Sequence, residues 1–233
     1  MKCAYTDRGP SCRVFGKKQR LLPLWPTIAH SPILAYWDWS SLIYNAYTRH
    51  KHFFKPFPSS RVAGLVNSLG LSGAEDPYTA IKGLLAIHIR RGDFEDHCRH
   101  LAEWSADWHA WNAFPEFIDK FEVPTNMTVD ETTQIYLAHC YPTIEQIVDK
   151  VKRVREESAA THDLRYLYIM TNGPISWVEE LKAALARAGG RTWESVKSSR
   201  DLELTWEEKF VAQGVDMFVA QKAEVIIGNG VSF

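Results

Sequence analysis

Two hydrophobic periods alternate along the second half of this chain and divide it into strands and helices. Positions 84–89 are apolar except at His88, which predicts a strand buried on both faces of a parallel sheet. Further on, Ile144, Ile147, Val148, Val151 and Val154 recur at spacings of three and four, one face of a helix. Thr143-Ile144-Glu145-Gln146 in front of them fits a capping box. Residues 165–171 predict a second strand ending in the turn Asn172-Gly173-Pro174. Ser176-Trp177-Val178-Glu179 predicts the cap of the next helix, which closes at Gly189-Gly190. A short strand follows at 192–196, then a long helix capped by Thr205 and running through Lys222, then a last strand at 224–228. Upstream, Val62, Leu65, Val66 and Leu69 predict a helix over 60–69, with a loop at 71–83 leading into the first strand.

Strand, helix, strand, helix, strand, helix, strand is the order of an α/β fold: a Rossmann-like parallel sheet wrapped by helices, here over residues 60–233. Its strand ends at Arg90, Thr171, Val196 and Gly228 are expected to open on one crevice. No Gly-x-Gly-x-x-Gly follows any of these strands, so a dinucleotide cofactor has no fingerprint. Residues 1–59 are different. The first 20 are basic and patternless and read as a loose lead-in, while 21–57 crowd aromatics with prolines around a short helix at 40–48. Large aromatics without a period pack against other layers more often than they stack on sugars, so this segment reads as the edge or remnant of a partner domain. After Phe94 an acidic, histidine-rich turn is expected, then a segment of helical tendency over 104–121.

Charge narrows the function. Lys+Arg 27 against Asp+Glu 28 gives a net charge of −1, so no global field recruits nucleic acid or an acidic membrane. No run of apolar residues is long enough to span a bilayer, and the first residues lack the apolar core of a signal peptide. Asn126-Met127-Thr128 is an acceptor sequon that has meaning only in a secretory lumen. The neighbouring pairs His97-Cys98 and His139-Cys140 leave open a Cys98–Cys140 disulfide in an oxidising compartment or buried thiols in a reducing one. A zinc site is disfavoured, because adjacent residues on an extended chain point opposite ways.

The chemistry is concentrated where the first strand ends, in Arg90-Arg91-Gly92-Asp93. A period of two puts His88 and Arg90 on one face and Arg91 on the other. An arginine fork can hold two phosphate oxygens and stays charged near neutrality. The second concentration is the helix, strand and turn from Asp216 through Gly228, Asn229 and Gly230 to Ser232. Backbone N–H groups of such a turn can cradle phosphate, and a carboxylate can accept from the N1–H and amino group of guanine.

The pattern His88-x-Arg90-Arg91-x-Asp93-Phe94 resembles the nucleotide-binding motif of the GDP-fucose protein O-fucosyltransferase family. The stretch from Asp216 to Ser232 resembles the same family's helix-strand-loop, except that Phe233 directly follows Ser232 where relatives carry a second hydroxyl. The resemblance covers about residues 60–233 and implies the carboxyl-terminal, donor-binding half of a GT-B glycosyltransferase. It implies Arg90 on the β-phosphate, as the group that stabilises the leaving GDP, and His88 near the guanine. It also implies Asp216 on the base, with Gly228, Asn229, Gly230 and Ser232 around the phosphates. GDP-fucose is then the donor substrate, with no metal and no other cofactor, a protein or glycan is the acceptor, and the sugar is inverted. Such a chain is expected to be part of a longer enzyme of the secretory pathway. A non-catalytic GDP-binding module and a protein-interaction domain are the competing classes.

Overall fold

The computed structural model describes residues 4–6, 9–11, 22–55, 79–92, 94–106, 121–188 and 191–229. Near the start, β1 (Ala4–Thr6) pairs antiparallel with β2 (Gly9–Ser11), where the sequence predicts no order. Two short helices, α1 (Trp25–Ala29) and α2 (Pro32–Ala35), precede α3 (Ser41–Phe54). The first two leave Trp25, Ile33, Leu34, Tyr36 and Trp37 exposed. By contrast, Trp39, Ile43, Ala46, Tyr47 and Phe54 are buried in a single cluster with the sheet. The described aromatics of this segment therefore divide: those up to Trp37 remain outside, and those from Trp39 to Phe54 build a core layer.

The sheet starts with β3 (Ile81–Ile89), three residues earlier than the apolar run. The extension passes through Gly83 at φ +82, where the pairing register shifts and a Cβ would lie 2.9 Å from the Asp163 carbonyl oxygen. Only glycine tolerates that position. The expected turn after Phe94 is instead α4 (Phe94–Glu103). Glu95 and Asp96 complement the helix dipole in its first turn, Arg99 pairs with Glu95 at 2.8 Å, and Cys98 and Ala102 form its buried side. Next comes α5 (Val129–Cys140), opened by a capping box between Thr128 and Glu131. Helix α6 (Ile144–Glu157) carries the expected box, with Thr143 and Gln146 each bonding the other's backbone.

Strand β4 (Tyr166–Thr171) is buried along its whole length. Helix α7 (Ile175–Arg187) begins at Pro174 without a side-chain cap, so Ser176 lies inside the first turn and is not the cap. Pro174 presets the entry, and its carbonyl accepts the first helical bond from Val178 at 3.0 Å. Strand β5 (Ser195–Ser198) lies later than expected and turns into a short 3-10 segment at Ser199–Asp201. The single long helix splits into α8 (Trp206–Lys209) and α9 (Ala212–Lys222). Thr205 and Glu208 do form the capping box, but Glu208 is also paired with Arg49 of α3 and is buried. The turn then tightens, with Phe210 and Val211 N–H donating three residues back, which ends α8. Finally β6 (Ala223–Gly228) closes the sheet.

All three pairings of this four-stranded sheet are parallel and the order is β5-β4-β3-β6. One face is covered by α3 and α9 over Leu84, Ala86, Tyr168 and Met170. The other is covered by α6 and α7 over Leu85, Ile87, Leu167 and Ile169. This is a Rossmann-like α/β fold. Two crossovers move outward from β3 through β4 to β5, and the third returns to the opposite side of β3. The direction thus reverses between β3 and β6, and open α/β sheets bind ligands at such a switch point. Among the described residues no helix is long and apolar enough to cross a membrane. The expected helix at 60–69, and most of the 104–121 segment, lie outside the described residues.

Candidate functional site

Parallel pairing brings every strand's carboxyl end to one edge, and side chains there tie neighbouring ends together. Between β3 and β4, Thr171 Oγ1 donates to the Ile89 carbonyl at 2.7 Å. Asn172 Oδ1 accepts from the Arg91 N–H at 2.7 Å. Gly92 lies under the same side chain at φ +67, so a Cβ would meet Asn172 Nδ2 at 3.0 Å. From β5 to β4, Arg200 donates through Nε and Nη2 to the Gly173 carbonyl at 3.1 and 3.0 Å.

At the switch point, Gly228 is the register partner of His88. The next residue, Asn229, donates its backbone N–H to the His88 carbonyl at 3.2 Å. Its side-chain amide reaches the Cys140 carbonyl at 2.7 Å and the Arg90 carbonyl at 3.4 Å. Asn229 therefore pins the exit of β6 to that of β3 and to the end of α5. The end of α5 is itself held, since Cys98 and Cys140 form a disulfide with Cα atoms 5.8 Å apart. This resolves the alternatives for those cysteines, and no group of three metal-ligating side chains occurs among the described residues.

The two arginines separate as the period of two requires. Arg91 is buried, donates to the Pro142 carbonyl at 3.0 Å and lies between the rings of Tyr141 and Trp177, at 3.9 and 4.3 Å. Arg90 is half-buried, with its guanidinium 4.2 Å from the Phe94 ring centroid. Its Nε is buried and has no hydrogen-bond partner among the described residues. A buried, unpaired guanidinium N–H is costly unless something accepts from it. His88 is half-buried beside it, and burial together with the Arg90 charge lowers the imidazole pKa to about 4. It is neutral at physiological pH.

Asp216 is tethered one strand away. Tyr168 Oη donates to its Oδ1 at 2.7 Å and Ser199 Oγ to its Oδ2 at 2.8 Å. Burial raises the carboxyl to about 6, against the two hydroxyls and the Arg200 charge, which lower it. Tyr168 pairs with Ala86, and Met170 pairs with His88, so Asp216 is bonded to the sheet face that carries His88. The structure thus gathers His88, Arg90, Gly228 and Asn229 at the β3–β6 crevice and fixes Asp216 to β4 beside it. Gly230 and Ser232 lie outside the described residues.

The sequence alone does not single out Tyr168, Asn172, Ser199 or Arg200, nor the structural role of Asn229. Asn172, Ser199, Arg200 and Asn229 follow a strand's carboxyl end, and that position is the available signal, whereas Tyr168 lies within β4. A cavity of about 270 Å³ lies elsewhere, between α6 and α7, over Val151, Leu164, Leu185 and Trp193. These residues sit where β4 begins, at the opposite edge from the strand ends. Comparison with protein-family models and with curated protein sequences yields no match.

Proposed function

We propose that this chain is the donor-binding half of a glycosyltransferase that uses GDP-fucose, with a protein or glycan as acceptor. The observation that carries the reading is Arg90, a half-buried cation at the switch point whose Nε has no hydrogen-bond partner among the described residues. In this reading Arg90 grips the β-phosphate. As the bond from the anomeric carbon to the phosphate oxygen breaks, negative charge grows on that phosphate, and the fixed guanidinium stabilises it. Gly230 and Ser232 are read as adding donors to the phosphates, while the Asn229 N–H is already given to the His88 carbonyl. His88, being neutral, packs beside the base and contributes no charge of its own. The Asp216 carboxylate supplies base selection. The transfer inverts the sugar and needs no metal, as the resemblance to the O-fucosyltransferases implies. The Cys98–Cys140 disulfide favours an oxidising compartment, in keeping with the secretory pathway.

The competing reading is a module that keeps GDP and has lost turnover. Calorimetry with GDP, GMP and ADP tests what both readings share: GDP should bind tightest, and Arg90→Ala should abolish its advantage over GMP. Equal affinities for all three nucleotides would sink the proposal. Release of fucose from GDP-fucose, or its transfer to protein, then separates the enzyme from the binding module.

A further inference from the structure

We propose that Tyr168 and Ser199 are positioning residues that set base specificity: their hydroxyls hold the Asp216 carboxylate in one orientation, leaving a paired acceptor edge for guanine. This inference rests on the nucleotide-site reading above and extends it to residues that would not touch the phosphates.

The geometry is specific. Asp216 projects from α9 between Val215 and the buried Phe218 and Val219, where a carboxylate without donors would take up a proton or swing to solvent. Two rigid elements prevent that, β4 through Tyr168 and the 3-10 segment after β5 through Ser199. Tyr168 is buried and its hydroxyl pKa is pushed well above the usual value by burial and then by Asp216, so it remains a donor. Ser199 has one proton and two acceptors within reach, Asp216 Oδ2 at 2.8 Å and the Ile169 carbonyl at 3.3 Å. The shorter bond, to a charged acceptor, takes it. The Thr171 N–H meanwhile donates to Ser199 Oγ at 3.2 Å and fixes that hydroxyl in place.

An ionised carboxylate offers about four lone-pair sites. Among the described residues one on each oxygen is occupied, so one on each remains. That is a bidentate acceptor edge, and the adjacent N1–H and amino N–H of guanine are its complement. Adenine presents an acceptor at N1 instead, and two acceptors facing each other repel. The edge exists only while Asp216 is ionised. Around it, Arg200 is the nearby cation, Asp201 acts through Tyr168, and His88 on the same sheet face is neutral. Helix α3 meets α9 with Ile43, Tyr44 and Tyr47, none of them charged. The two hydroxyls, ahead of the Arg200 charge, are therefore the main groups that favour the ionised carboxylate in this pocket.

The test measures GDP and ADP binding by calorimetry from pH 5 to 8 for the natural chain, Tyr168→Phe, Ser199→Ala and Ser199→Thr, with thermal melts alongside. In the natural chain the preference for GDP should hold at pH 7 and fade below about pH 6. Tyr168→Phe and Ser199→Ala should each cut the GDP-to-ADP ratio at pH 7 about tenfold, the loss of one ordinary hydrogen bond. They should also move the midpoint to higher pH and leave ADP affinity unchanged, while Ser199→Thr restores both readouts. A variant that melts normally yet keeps the natural ratio and midpoint overturns the inference and leaves the nucleotide-site reading standing. An equal fall in GDP and ADP affinity overturns it too. A natural chain that does not prefer GDP removes the parent reading, and the inference with it. Should Tyr168→Phe not fold, Ser199→Ala and Ser199→Thr decide the matter alone.

Discussion

Arg90 and Arg91 leave the same strand and meet opposite environments. On the α6–α7 side, Arg91 is enclosed by Tyr141, Trp177 and the Pro142 carbonyl, and burial lowers its pKa. Its hydrogen-bonding and aromatic contacts are all internal, so it binds the fold together. On the α3–α9 side, His88, Arg90 and Asp216 are each only half-buried. Among the described residues one Arg90 donor is unpaired there and the Asp216 carboxylate keeps open lone pairs. A polar group that is fully satisfied inside the protein is part of the structure, whereas one placed with capacity to spare is available to a ligand. The difference between two adjacent arginines thus separates a structural half of the strand's end from a candidate functional one. It follows that substitutions on the first side should act on folding, and those on the second side on binding.

The largest effect is expected from the disulfide that anchors the structural side. It joins residues 42 apart in sequence, and closing a loop of that length is worth about 4 kcal/mol in the chain-entropy account. Replacing Cys98 and Cys140 together by serine should lower unfolding free energy by about that much in urea titrations. GDP binding should weaken as well, because the Cys140 carbonyl anchors Asn229. A double variant as stable as the natural chain would mean that α4 and α5 contribute little to holding this edge.

Next is Arg91→Ala. It removes a charged hydrogen bond and two aromatic contacts from a buried site, about 3 kcal/mol of stability together. A denaturant midpoint close to that of the natural chain would show that the enclosure is not what holds Arg91. Arg90→Ala should reverse the pattern. Stability should change little, whereas GDP affinity should fall by about 1.5–3 kcal/mol, the worth of a charge-assisted bond to phosphate. If Arg90→Ala lowers stability by about as much as Arg91→Ala is expected to, and the folded protein keeps its GDP affinity, the two arginines have been assigned the wrong way round.

Much of this frame can be read from the sequence because the relevant signals are local. The apolar run at 84–89, the boxes at Thr143 and Thr205, and the alternation of periods each depend on neighbours within one element. Helices α4 and α5 escape that reading. Each buries only two residues, spaced four apart: Cys98 with Ala102, and Tyr136 with Cys140. They pack on each other and are joined by the disulfide, so neither presents a broad apolar stripe. The Thr128–Glu131 box was nonetheless legible as the start of α5. At the candidate site the split between Arg90 and Arg91 follows from strand alternation alone. The partners of Asp216 do not, because Tyr168 lies 48 residues and Ser199 17 residues away in sequence. Only the strand order brings those hydroxyls to one carboxylate.

The smallest effect is expected in the pH dependence of folding, and it sharpens the account of the functional side. His88 titrates at about 4 in the folded chain against an ordinary 6.5. Between those values the unfolded chain binds the extra proton, so stability from His88 rises with pH across that window. Asp216 titrates at about 6 against an ordinary 3.8. There the folded chain binds the extra proton, so stability from Asp216 falls as pH rises across nearly the same window. The two contributions oppose each other, and partial solvent access reduces both. Between pH 4 and 6 the natural chain should therefore show little slope from this pair. Asp216→Asn should unmask the histidine, giving stability that climbs with pH, and His88→Gln should unmask the carboxylate, giving stability that declines. Urea titrations at pH 4, 5 and 6 would measure all three slopes. Parallel slopes in the three proteins would mean that neither group titrates away from its ordinary value. The functional side would then lack the half-buried titrating pair that distinguishes it from the side holding Arg91.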